Sequence, residues 1–505
     1  MRRRASWSIH GHGMHNLPRG HGPDRFVGRR RAAGRATHPL PRQLRSRIER
    51  ARVSYQFSRR VAVNPLRRGT CPGISQPMRT GDGLLVRLMP SAPIPLDAWL
   101  TLCDASQAHG NGIVEVTQRG SLQFRGLSPV SAPAFAGSAA ALGLGAEGGP
   151  PFLTSPLIGL DAQERVDLRD LIGALRAELS RNPAVASIGP KVSLLIDGGG
   201  VLHLDDVPGD LRLRASTTSR LHLSIAETAP ASTSLGWIEP QNALQGIVQV
   251  LASIANRGTD ARARDLTNSA DVAALRTSLA SMLTDEPPPS PRPPAEPIGT
   301  HVLNNGRVAL GVALAFGYTE AGILKRFVLA AARCGATSIR PAPGRALLTI
   351  GLAAAAANEL AAAAVAAGFV LRPDDPRRCV VACAGAPACG SAMLATRQLA
   401  PAIARAASPF LDGSLTLHVS GCAKGCAHPG VAALTVIGPD RLVVQGRAGD
   451  TPHGTTSAAE FIAGLARLDA ERQHSHGAEE CSADMLSRLG ATQVLALMNG
   501  ELGHD

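Results

Sequence analysis

Seven prolines lie within thirteen residues at 285–297, just past the middle of this 505-residue chain. Proline fixes φ and has no backbone N–H, so this segment can form neither a helix nor a central β-strand. We therefore predict an extended, semi-rigid linker between two regions. A chain of this length is expected to hold about two to four domains, so each region has enough residues to bury a core.

The two regions repeat the same order of predicted elements. In the first region a strand is predicted at 83–89, a helix at 95–109, a hairpin at 113–117 and 121–126, and a second helix at 132–141. In the second region the strand is predicted at 307–315, the helix at 319–334, the hairpin at 338–341 and 346–351, and the second helix at 353–367. An offset of 225 residues aligns Gly110 with Gly335 and Gly126 with Gly351. We interpret the regions as copies of one β-α-β-β-α unit related by a pseudo-two-fold axis, although two unrelated α+β units would also fit the pattern.

Each copy continues into a further segment. In the first segment, strands predicted at 191–197, 201–205 and 211–214 are separated by turns, which is typical of an antiparallel meander. Residues 150–283 contain no cysteine, whereas residues 370–445 contain five. If the two segments are duplicates, only the second has kept a metal site.

The positive charge of the chain is confined to its beginning. Residues 1–70 contain 18 arginines and two acidic residues, a net charge of +16, while the remaining residues carry −3. A nucleic-acid-binding protein would have its excess charge on the folded part, and aromatic residues make up only 3% of the chain, so this class is disfavoured. We predict a disordered basic extension over 1–66, although Arg-rich transit peptides have a similar composition.

No segment has the uninterrupted apolar length of a membrane span. The best candidate, 353–371, is broken by Asn358 and Glu359. The N-terminal residues include no apolar stretch of the kind found in secretory signals. We therefore expect a cytoplasmic protein that binds neither membrane nor nucleic acid and whose thiols stay reduced.

Five of the nine cysteines lie within 379–426, and four of them have the spacings Cys383-x5-Cys389 and Cys422-x3-Cys426. Clustered thiolates in a reducing compartment hold zinc or an iron–sulfur cluster more often than they form disulfides. Structural zinc sites favour about two to four residues between ligands, so the wider first pair favours a cluster. Cys379 is a fifth candidate ligand. The other thiols are predicted to be small buried side chains: Cys71, Cys103, Cys334 and Cys481.

The two cysteine pairs and the run 420–429 (SGCAKGCAHP) resemble the cluster signature of the sulfite and nitrite reductase superfamily. The tandem β-α-β-β-α copies resemble the ferredoxin-like repeats of that superfamily. Within it, the narrower resemblance is to the precorrin-3B synthase family of aerobic cobalamin biosynthesis. The segments that carry this match cover about 67–440: 68–73, 78–88, 110–112, 117–119, 122–127, 155–161, 189–191, 197–200 and 425–429.

The resemblance implies an α+β fold in which tandem ferredoxin-like half-domains alternate with two reductase-type α+β domains, duplicated about a pseudo-two-fold axis. The implied domains are a half-domain at 67–145, a reductase-type domain without a cluster at 150–284, the linker at 285–298, a second half-domain at 299–368, an iron–sulfur domain at 370–445 and a helical C-terminal tail at 446–505.

The resemblance also implies an oxidoreductase activity. The family hydroxylates precorrin-3A with O2 and forms a γ-lactone. The implied cofactors are a [4Fe-4S] cluster on the four paired cysteines and a mononuclear non-haem iron. His418 and His428 are the imidazoles nearest the cysteines, although either could instead bond a sulfide or a carbonyl. No G-x-G-x-x-G follows a strand, so an NADH-linked or ferredoxin-like carrier is the expected electron donor.

Precorrin-3A carries many carboxylates, so its recognition requires arginine or lysine side chains. Arg119 matches the anion-facing arginine of the reductases, and Lys191 matches one of their lysines. Arg87 and Arg125 lie on predicted strands of the first copy and are further candidates, although each could be a solvated edge charge. All four are therefore predicted to bind substrate.

Lys424, between the last two cluster cysteines, and His428 are the catalytic candidates, although Lys424 could equally neutralise the charge of the cluster. Two other functions stay open. One is a sirohaem-dependent sulfite or nitrite reductase, in which Cys426 would bridge to the haem iron. This function is disfavoured because Ser193 replaces a second reductase lysine and no arginine follows 154–161. The other is a non-enzymatic basic protein with structural zinc.

Overall fold

The computed structural model describes residues 72–144, 150–185, 187–216, 220–475 and 480–501. The predicted basic extension over 1–66 and the Cys71 thiol lie outside these ranges. All the described residues belong to one unit, which spans 65–505.

The first half-domain contains the predicted β-α-β-β-α order. Its elements are β1 (Met78–Thr80), β2 (Gly83–Leu88), β3 (Ile94–Pro95), α1 (Leu96–His109), β4 (Ile113–Val116), β5 (Leu122–Leu127) and α2 (Ala132–Ala141). Strands β2, β4 and β5 turn Val86, Val114 and Phe124 into the core, and α1 and α2 cover that face of the sheet. The predicted elements of this copy are confirmed.

The first reductase-type domain follows. Its elements are β6 (Phe152–Thr154), α3 (Arg169–Arg181), β7 (Leu194–Asp197), β8 (Leu211–Ala215), β9 (Leu221–Ile225), β10 (Thr233–Ile238), α4 (Pro240–Ala255), α5 (Ser269–Ser278) and β11 (Leu283–Thr284). The six strands form one sheet in the order β11-β10-β9-β8-β7-β6.

The predicted antiparallel meander is wrong for the first part of this sheet. Strands β6, β7 and β8 run parallel to one another, and only β8 to β11 are antiparallel. Residues 201–205 form turns instead of a strand. The physical reason is the buried Arg212, which donates from Nη1 to the Leu204 carbonyl at 2.7 Å and from Nη2 to the Val207 carbonyl at 2.6 Å. The Leu204 and Val207 carbonyls therefore have hydrogen-bond donors without a neighbouring strand. The chain then crosses back before β8, so that β8 runs parallel to β7.

The second copy repeats this plan. Its half-domain contains β12 (Gly299–Val302), β13 (Val308–Ala313), β14 (Tyr318–Glu320), α6 (Ala321–Arg333), β15 (Ser338–Ala342), β16 (Ala346–Leu352) and α7 (Ala354–Ala366). Its reductase-type domain contains β17 (Val380–Ala382), α8 (Thr396–Ala406), β18 (Leu417–Ser420), β19 (Ala432–Ile437), β20 (Arg441–Gly446), β21 (Gly454–Thr455), α9 (Ala458–Ser475) and α10 (Ser482–Asn499). Strands β17 to β19 are parallel and β20 is antiparallel, as in β6 to β9.

The two half-domains exchange short edge strands. Strand β3 pairs with β15, which places Ile94 opposite Ile339, and β14 pairs with β4, which places Thr319 opposite Val114. The same 225-residue offset relates both residue pairs, so the exchange is symmetric. Helices α1 and α6 pack together, and one apolar core joins the half-domains. The Trp99 indole N–H, deep in this core, donates to the Ile339 carbonyl at 2.9 Å.

The glycines aligned by the sequence repeat have the same structural role. Gly126 and Gly351 have φ of +72° and +90°, in the left-handed region. A Cβ on Gly126 would lie 2.5 Å from Asn111 Cβ, and one on Gly351 would lie 2.7 Å from Thr337 Oγ1. Both positions therefore require glycine for conformation and for space.

The C-terminal segment is helical, as predicted, but it is not a tail. Phe461 and Leu465 of α9 and Met485 and Val494 of α10 are fully buried in the same core as Leu417 of β18. A sheet with one uncovered apolar face must bury it, and these two helices do so. The second reductase-type domain therefore continues to α10 instead of ending near residue 445.

The proline-rich linker is extended, and it is bound along the first reductase-type domain. Arg292 Nε donates to Asp205 Oδ2 at 3.0 Å, and its Nη2 also pairs with Asp197. The Trp237 indole N–H donates to the Pro287 carbonyl at 3.0 Å. The linker is therefore fixed by buried polar partners. Among the described helices, none has the length and apolar character needed to cross a membrane.

Candidate active site

Two loops at one edge of the last sheet carry the paired cysteines. The C-x5-C loop follows β17 and the C-x3-C loop follows β18, and these strands are parallel neighbours. Because the carboxyl ends of parallel strands meet at one edge, the two loops lie side by side. The Gly421 N–H donates to Cys383 Sγ at 3.2 Å, and the Met393 N–H donates to the Gly421 carbonyl at 2.8 Å. A second contact joins the loops where Lys424 Nζ donates to Ser391 Oγ at 3.0 Å.

Small residues allow this close approach. A Cβ on Gly421 would lie 2.5 Å from Ala392 Cβ and 3.4 Å from Cys383 Sγ. Gly385 has a φ of +66°, and a Cβ there would lie 2.3 Å from Thr396 Oγ1, the hydroxyl that donates to the Cys383 carbonyl. At Gly421 the absence of a side chain lets the backbone N–H approach the Cys383 sulfur.

The first half-domain forms hydrogen bonds to the C-x5-C loop. The Gly81 N–H donates to the Ala388 carbonyl at 3.1 Å, and Arg125 Nη2 donates to the same carbonyl at 2.7 Å. Arg125 is buried and forms an ion pair with Asp82 at 3.0 Å. Burial alone would lower the pKa of Arg125, but Glu115 and Asp82 hold it above its usual value. This contact was missed because it joins residues far apart in sequence, although 78–88 and 122–127 were among the matching segments.

Burial also changes the pKa of the thiol at the centre of the loops. It raises the pKa of Cys383, against the opposing effects of the Gly421 and Gly385 N–H groups and the Thr396 hydroxyl. Cys383, Cys389 and Cys422 are half-buried and Cys426 is exposed. A bound metal would deprotonate these thiols, and the N–H groups around Cys383 would then stabilise the thiolate.

The two histidines lie next to the C-x3-C loop. His418 on β18 is completely buried, and neither of its ring nitrogens has a hydrogen-bond partner. Desolvation, followed by the charges of His428 and Arg345, lowers the pKa of His418 to about 3. The His428 ring lies edge-on to it with centroids 5.7 Å apart, and His428 Nε2 bonds the Val431 carbonyl at 3.0 Å. Because a carbonyl only accepts, Nε2 is the donor in this contact.

The predicted substrate cations have different environments. Arg119 is exposed and donates from Nη2 to the Pro208 carbonyl at 2.6 Å. Lys191 is exposed just before β7. Arg87 lies opposite Gln123 in the sheet. With the side-chain amide of Gln123 turned so that its oxygen faces Arg87, Arg87 Nε donates to that oxygen at 3.0 Å. Arg125 faces protein partners instead of an open cleft. Substrate binding by Arg87 and Arg125 therefore stays a prediction without structural support.

One cation at this site was not predicted from the sequence. Arg345 lies in the turn between β15 and β16 and approaches His418 closely enough to lower its pKa. The paired turns of the two half-domains meet where Arg119 forms a bridge with Pro343. The only sequence signal for Arg345 was its offset of 225 residues from Gly120.

The other thiols in the described part of the chain lie outside the two cysteine loops. Cys379 packs in the apolar core of the last domain, and burial raises its pKa. Cys103 is buried, and burial raises its pKa to about 12. Cys334 packs against the core of the half-domains. Cys481, which precedes α10, is half-buried. These environments agree with the prediction of small packed side chains, and Cys379 has no contact that marks it as a ligand.

The residues of the two cysteine loops fit an iron–sulfur cluster. Four thiolates are soft ligands, one of them already accepts a backbone N–H, and Lys424 and Arg125 supply positive charge beside the loops. Within the described ranges, no three His, Cys, Asp or Glu side chains meet as ligands of one metal ion. A cubane cluster distributes its four ligands over separate irons, so it requires no such group.

Comparison with known proteins identifies the fold and the family. Residues 76–142 match the nitrite/sulfite reductase ferredoxin-like half domain. The structure superimposes on that of the Mycobacterium tuberculosis NirA protein with a TM-score of 0.67 and 20% identity, covering 81% of this chain and 84% of the other. The fold is thus that of the sulfite and nitrite reductase superfamily.

Comparison with sequence relatives indicates a narrower family than the fold does. The chain is 37% identical to a precorrin-3B synthase from Sinorhizobium sp. over 441 residues, which is 86% of this chain and 95% of the relative. A ferredoxin-dependent sulfite reductase of M. tuberculosis is 32% identical over 30% of this chain and 29% of its own length. A Synechococcus elongatus ferredoxin–nitrite reductase is 23% identical over 72% of this chain and 77% of its own length. The chain belongs to the precorrin-3B synthase family.

Proposed function

We propose that this oxidoreductase converts precorrin-3A to precorrin-3B with O2, using a [4Fe-4S] cluster held by Cys383, Cys389, Cys422 and Cys426. The observation that carries the proposal is the Gly421 N–H on Cys383 Sγ, because it joins the C-x5-C loop to the C-x3-C loop. The family relationship supports the substrate, and the convergence of the two loops supports the cluster.

The overall reaction is a hydroxylation. One atom of O2 forms a C–O bond at a meso carbon of the macrocycle, and a ring acetate closes a γ-lactone. The other oxygen atom leaves as water and takes up two electrons and two protons, which an NADH-linked or ferredoxin-like carrier must supply. Side chains do not activate O2 unaided, so iron chemistry is required. The bound cluster supplies single-electron transfer.

The protein holds and orients the groups around this chemistry. The backbone N–H of Gly421 stabilises the Cys383 thiolate, and Lys424, bonded to Ser391, adds positive charge beside it. Arg119 and Lys191 are exposed cations, and we propose that they attract the carboxylates of the substrate. The Val431 carbonyl fixes the orientation of the His428 ring, which is a candidate for general acid–base chemistry.

The mononuclear non-haem iron and the identity of the electron carrier stay predictions from the family resemblance. His418 and His428 are the imidazoles closest to the cysteine loops. Their rings are close neighbours, and His428 already uses one nitrogen to bond a carbonyl.

The test compares the wild-type protein, Cys422→Ser and Cys334→Ser, all purified without oxygen. We expect the wild type to be brown, to contain iron and labile sulfide, and to convert precorrin-3A when O2 is added. Cys422→Ser should lose the sulfide and the turnover, whereas Cys334→Ser, a half-buried thiol far along the chain, should behave as wild type. Full turnover by Cys422→Ser would contradict the proposal.

A sirohaem-dependent reductase is the second candidate, and the fold relationship to NirA is the observation in its favour. Against it, Ser193, at the position of a reductase lysine, is buried and donates from its backbone N–H to Asp210 Oδ2 at 2.9 Å. Sharp sirohaem absorbance bands and sulfite or nitrite reduction by the same preparation would favour this alternative.

A further inference from the structure

A cavity of about 650 Å³ lies where the first reductase-type domain meets the second half-domain. Helix α3 and the loop after β6 form one side of the cavity, and the turn between β12 and β13 and the start of β15 form another. All the residues that line it lie within 91–176 and 303–351, so the cavity is separate from the cysteine loops. Its volume is in the range of sites that bind small molecules.

The charge of this cavity is of one sign. Four arginines line it: Arg169, Arg176, Arg307 and Arg340. Arg169 forms an ion pair with Asp167 at 2.6 Å. No aspartate or glutamate is among the described residues that line the cavity. The cavity therefore favours an anion.

Arg340 is buried, and its described hydrogen-bond acceptors are all uncharged. The side chain is 5% exposed. It donates to the carbonyls of Pro156 and Ser91, each at 3.3 Å, and to the Thr154 hydroxyl at 2.5 Å. Burial, followed by the charge of Arg176, lowers the pKa of Arg340 to about 10, so the guanidinium is still charged at pH 7. A buried charge with neutral partners is unfavourable unless an anion binds beside it.

The first copy has the opposite charges at the equivalent place. The offset of 225 residues aligns three charged residues of the first copy with residues that line the cavity: Asp82 with Arg307, Glu115 with Arg340 and Arg125 with Ile350. The strand register supports this alignment. Glu115 lies opposite Gln123 and Arg340 lies opposite Leu348, and the same offset relates Gln123 to Leu348.

The charges of the first copy compensate one another. Arg125 pairs with Asp82 at 3.0 Å and with Glu115 at 3.8 Å, so one cation lies between two carboxylates. In the second copy, two arginines replace the carboxylates and Ile350 replaces the cation. Arg307 is exposed, and its Nη1 donates to the Gly351 carbonyl at 3.3 Å. By analogy with the first copy, a doubly negative group between Arg307 and Arg340 would restore the balance.

We propose that this cavity binds a small phosphate ester with an apolar or aromatic portion, such as a nucleoside monophosphate, with its phosphate between Arg307 and Arg340. A phosphate monoester carries close to two negative charges at pH 7, whereas a carboxylate carries one, so the phosphate matches two arginines. Ile158, Leu303 and Ile350 give the cavity an apolar wall that a phosphate ion alone would leave uncovered. The inference does not depend on the reaction proposed above.

The test is a calorimetric titration of the full-length, cluster-loaded protein with AMP. We expect AMP to bind more tightly than inorganic phosphate, and adenosine, which has no phosphate, not to bind. Arg307→Gln should raise the Kd for AMP about 10- to 100-fold, the effect of losing a charged hydrogen bond. Arg405→Gln is the matched control, because Arg405 is exposed on α8, and its Kd should equal that of wild type.

Urea denaturation with and without AMP separates binding from a structural role. A ligand that binds only the folded state raises the unfolding midpoint. AMP should therefore raise the midpoint of wild type and of Arg405→Gln, but not that of Arg307→Gln or Arg340→Gln. Arg307 is exposed, so without AMP the midpoint of Arg307→Gln should match that of wild type. A lower midpoint for this variant without AMP would identify Arg307 as a structural residue and would overturn the inference.

The other outcomes have separate meanings. Absence of AMP binding, or the same Kd for wild type and Arg307→Gln, would overturn the inference. Tighter binding of citrate than of AMP would assign the cavity to carboxylates, and displacement of AMP by precorrin-3A would assign it to the substrate, and either result would also overturn the inference. A protein that binds AMP as expected but does not convert precorrin-3A would contradict the proposed function alone.

Discussion

Gly81 and Ala388 belong to the first and last domains of the described chain, and the Gly81 N–H donates to the Ala388 carbonyl at 3.1 Å. Ala388 directly precedes a cysteine of the C-x5-C loop. The turn between β1 and β2 therefore supports the conformation of the loop that carries two of the four thiols.

We expect Gly81→Ala to damage the cysteine site. A Cβ at this position would lie 2.4 Å from the Pro387 carbonyl oxygen, a contact that only backbone movement can relieve. Purified Gly81→Ala should contain less iron and labile sulfide than wild type. Gly73→Ala is the control, because a Cβ there meets no atom within 4 Å. Equal iron content in both variants would show that the turn does not support the loop.

Arg125→Met should lower the free energy of unfolding by about 3–5 kcal/mol, because it leaves Asp82 and Glu115 without their buried partner. Urea denaturation measures this change. Arg372→Met, at a fully exposed ion pair with Asp374, should change the free energy of unfolding far less, because solvent screens that pair. Similar losses in the two variants would contradict the structural role of Arg125.

The same ion pair predicts an acid-sensitive stability. Burial alone would raise the pKa of Asp82, but the hydrogen bond from Arg125 holds it below the usual value of 3.8. A carboxyl group with a lowered pKa stabilises the fold above 3.8 and loses that contribution as the pH falls below it. Wild type should therefore lose stability in this range more steeply than Arg125→Met, as measured by unfolding midpoints between pH 5 and pH 3.

Glu164 should have the opposite pH dependence. Desolvation, with the charges of Asp167, Asp161 and Asp197, raises the pKa of Glu164 to about 7, although the Gly159 N–H opposes the change. A carboxyl group with a raised pKa destabilises the fold fully above that pKa and not at all below its unfolded value of 4.5.

We therefore expect Glu164→Gln to stabilise the protein by about 1–2 kcal/mol at pH 8 and to have little effect at pH 4.5. Urea midpoints at the two pH values test this, with the exposed Glu359→Gln as control. A stabilisation that is the same at both pH values would contradict the assignment.

Arg292→Gln should release the proline-rich linker. Asp197, with its side chain 1% exposed, would then lose its arginine, and Asp205, 4% exposed, would keep Arg214 alone of its two arginines, at a cost of about 3–5 kcal/mol. We expect a lower urea midpoint and faster proteolysis within 285–297. Arg181→Gln, at an exposed pair with Glu178, should change neither. Resistance of the Arg292→Gln linker to protease would show that prolines alone fix it.

Most of the half-domain fold could be predicted because its information is local. Alternating apolar residues predict β2, β4 and β5. The backbone at Gly126 and Gly351 has a positive φ, which favours glycine, so the same residue type marks this position in both copies. Strands β3 and β14 have two and three residues, and their partners lie in the other copy. No periodicity marks strands this short, so the exchange could not be predicted.

The sequence predicts candidate ligands for the site but not the contacts that support their loops. The spacing of four cysteines indicates a cluster because thiolate chemistry depends on residue type and separation. The contacts of Gly81 and Arg125 with the Ala388 carbonyl depend on the packing of domains that are far apart in sequence. Neither contact can be predicted from the sequence.

The exchange of β3 and β14 has a consequence for how this chain can be divided. Each half-domain completes its sheet with a strand borrowed from the other, so a cut at 285–297 would separate two fragments that each lack an edge. Two identical copies of a single half, swapping the same strand, would form a closed dimer with two equivalent centres. Joining such copies in one polypeptide allows the two centres to differ: the loops after β17 and β18 carry thiols, whereas Asp197 at the end of β7 pairs with Arg292 of the connecting segment.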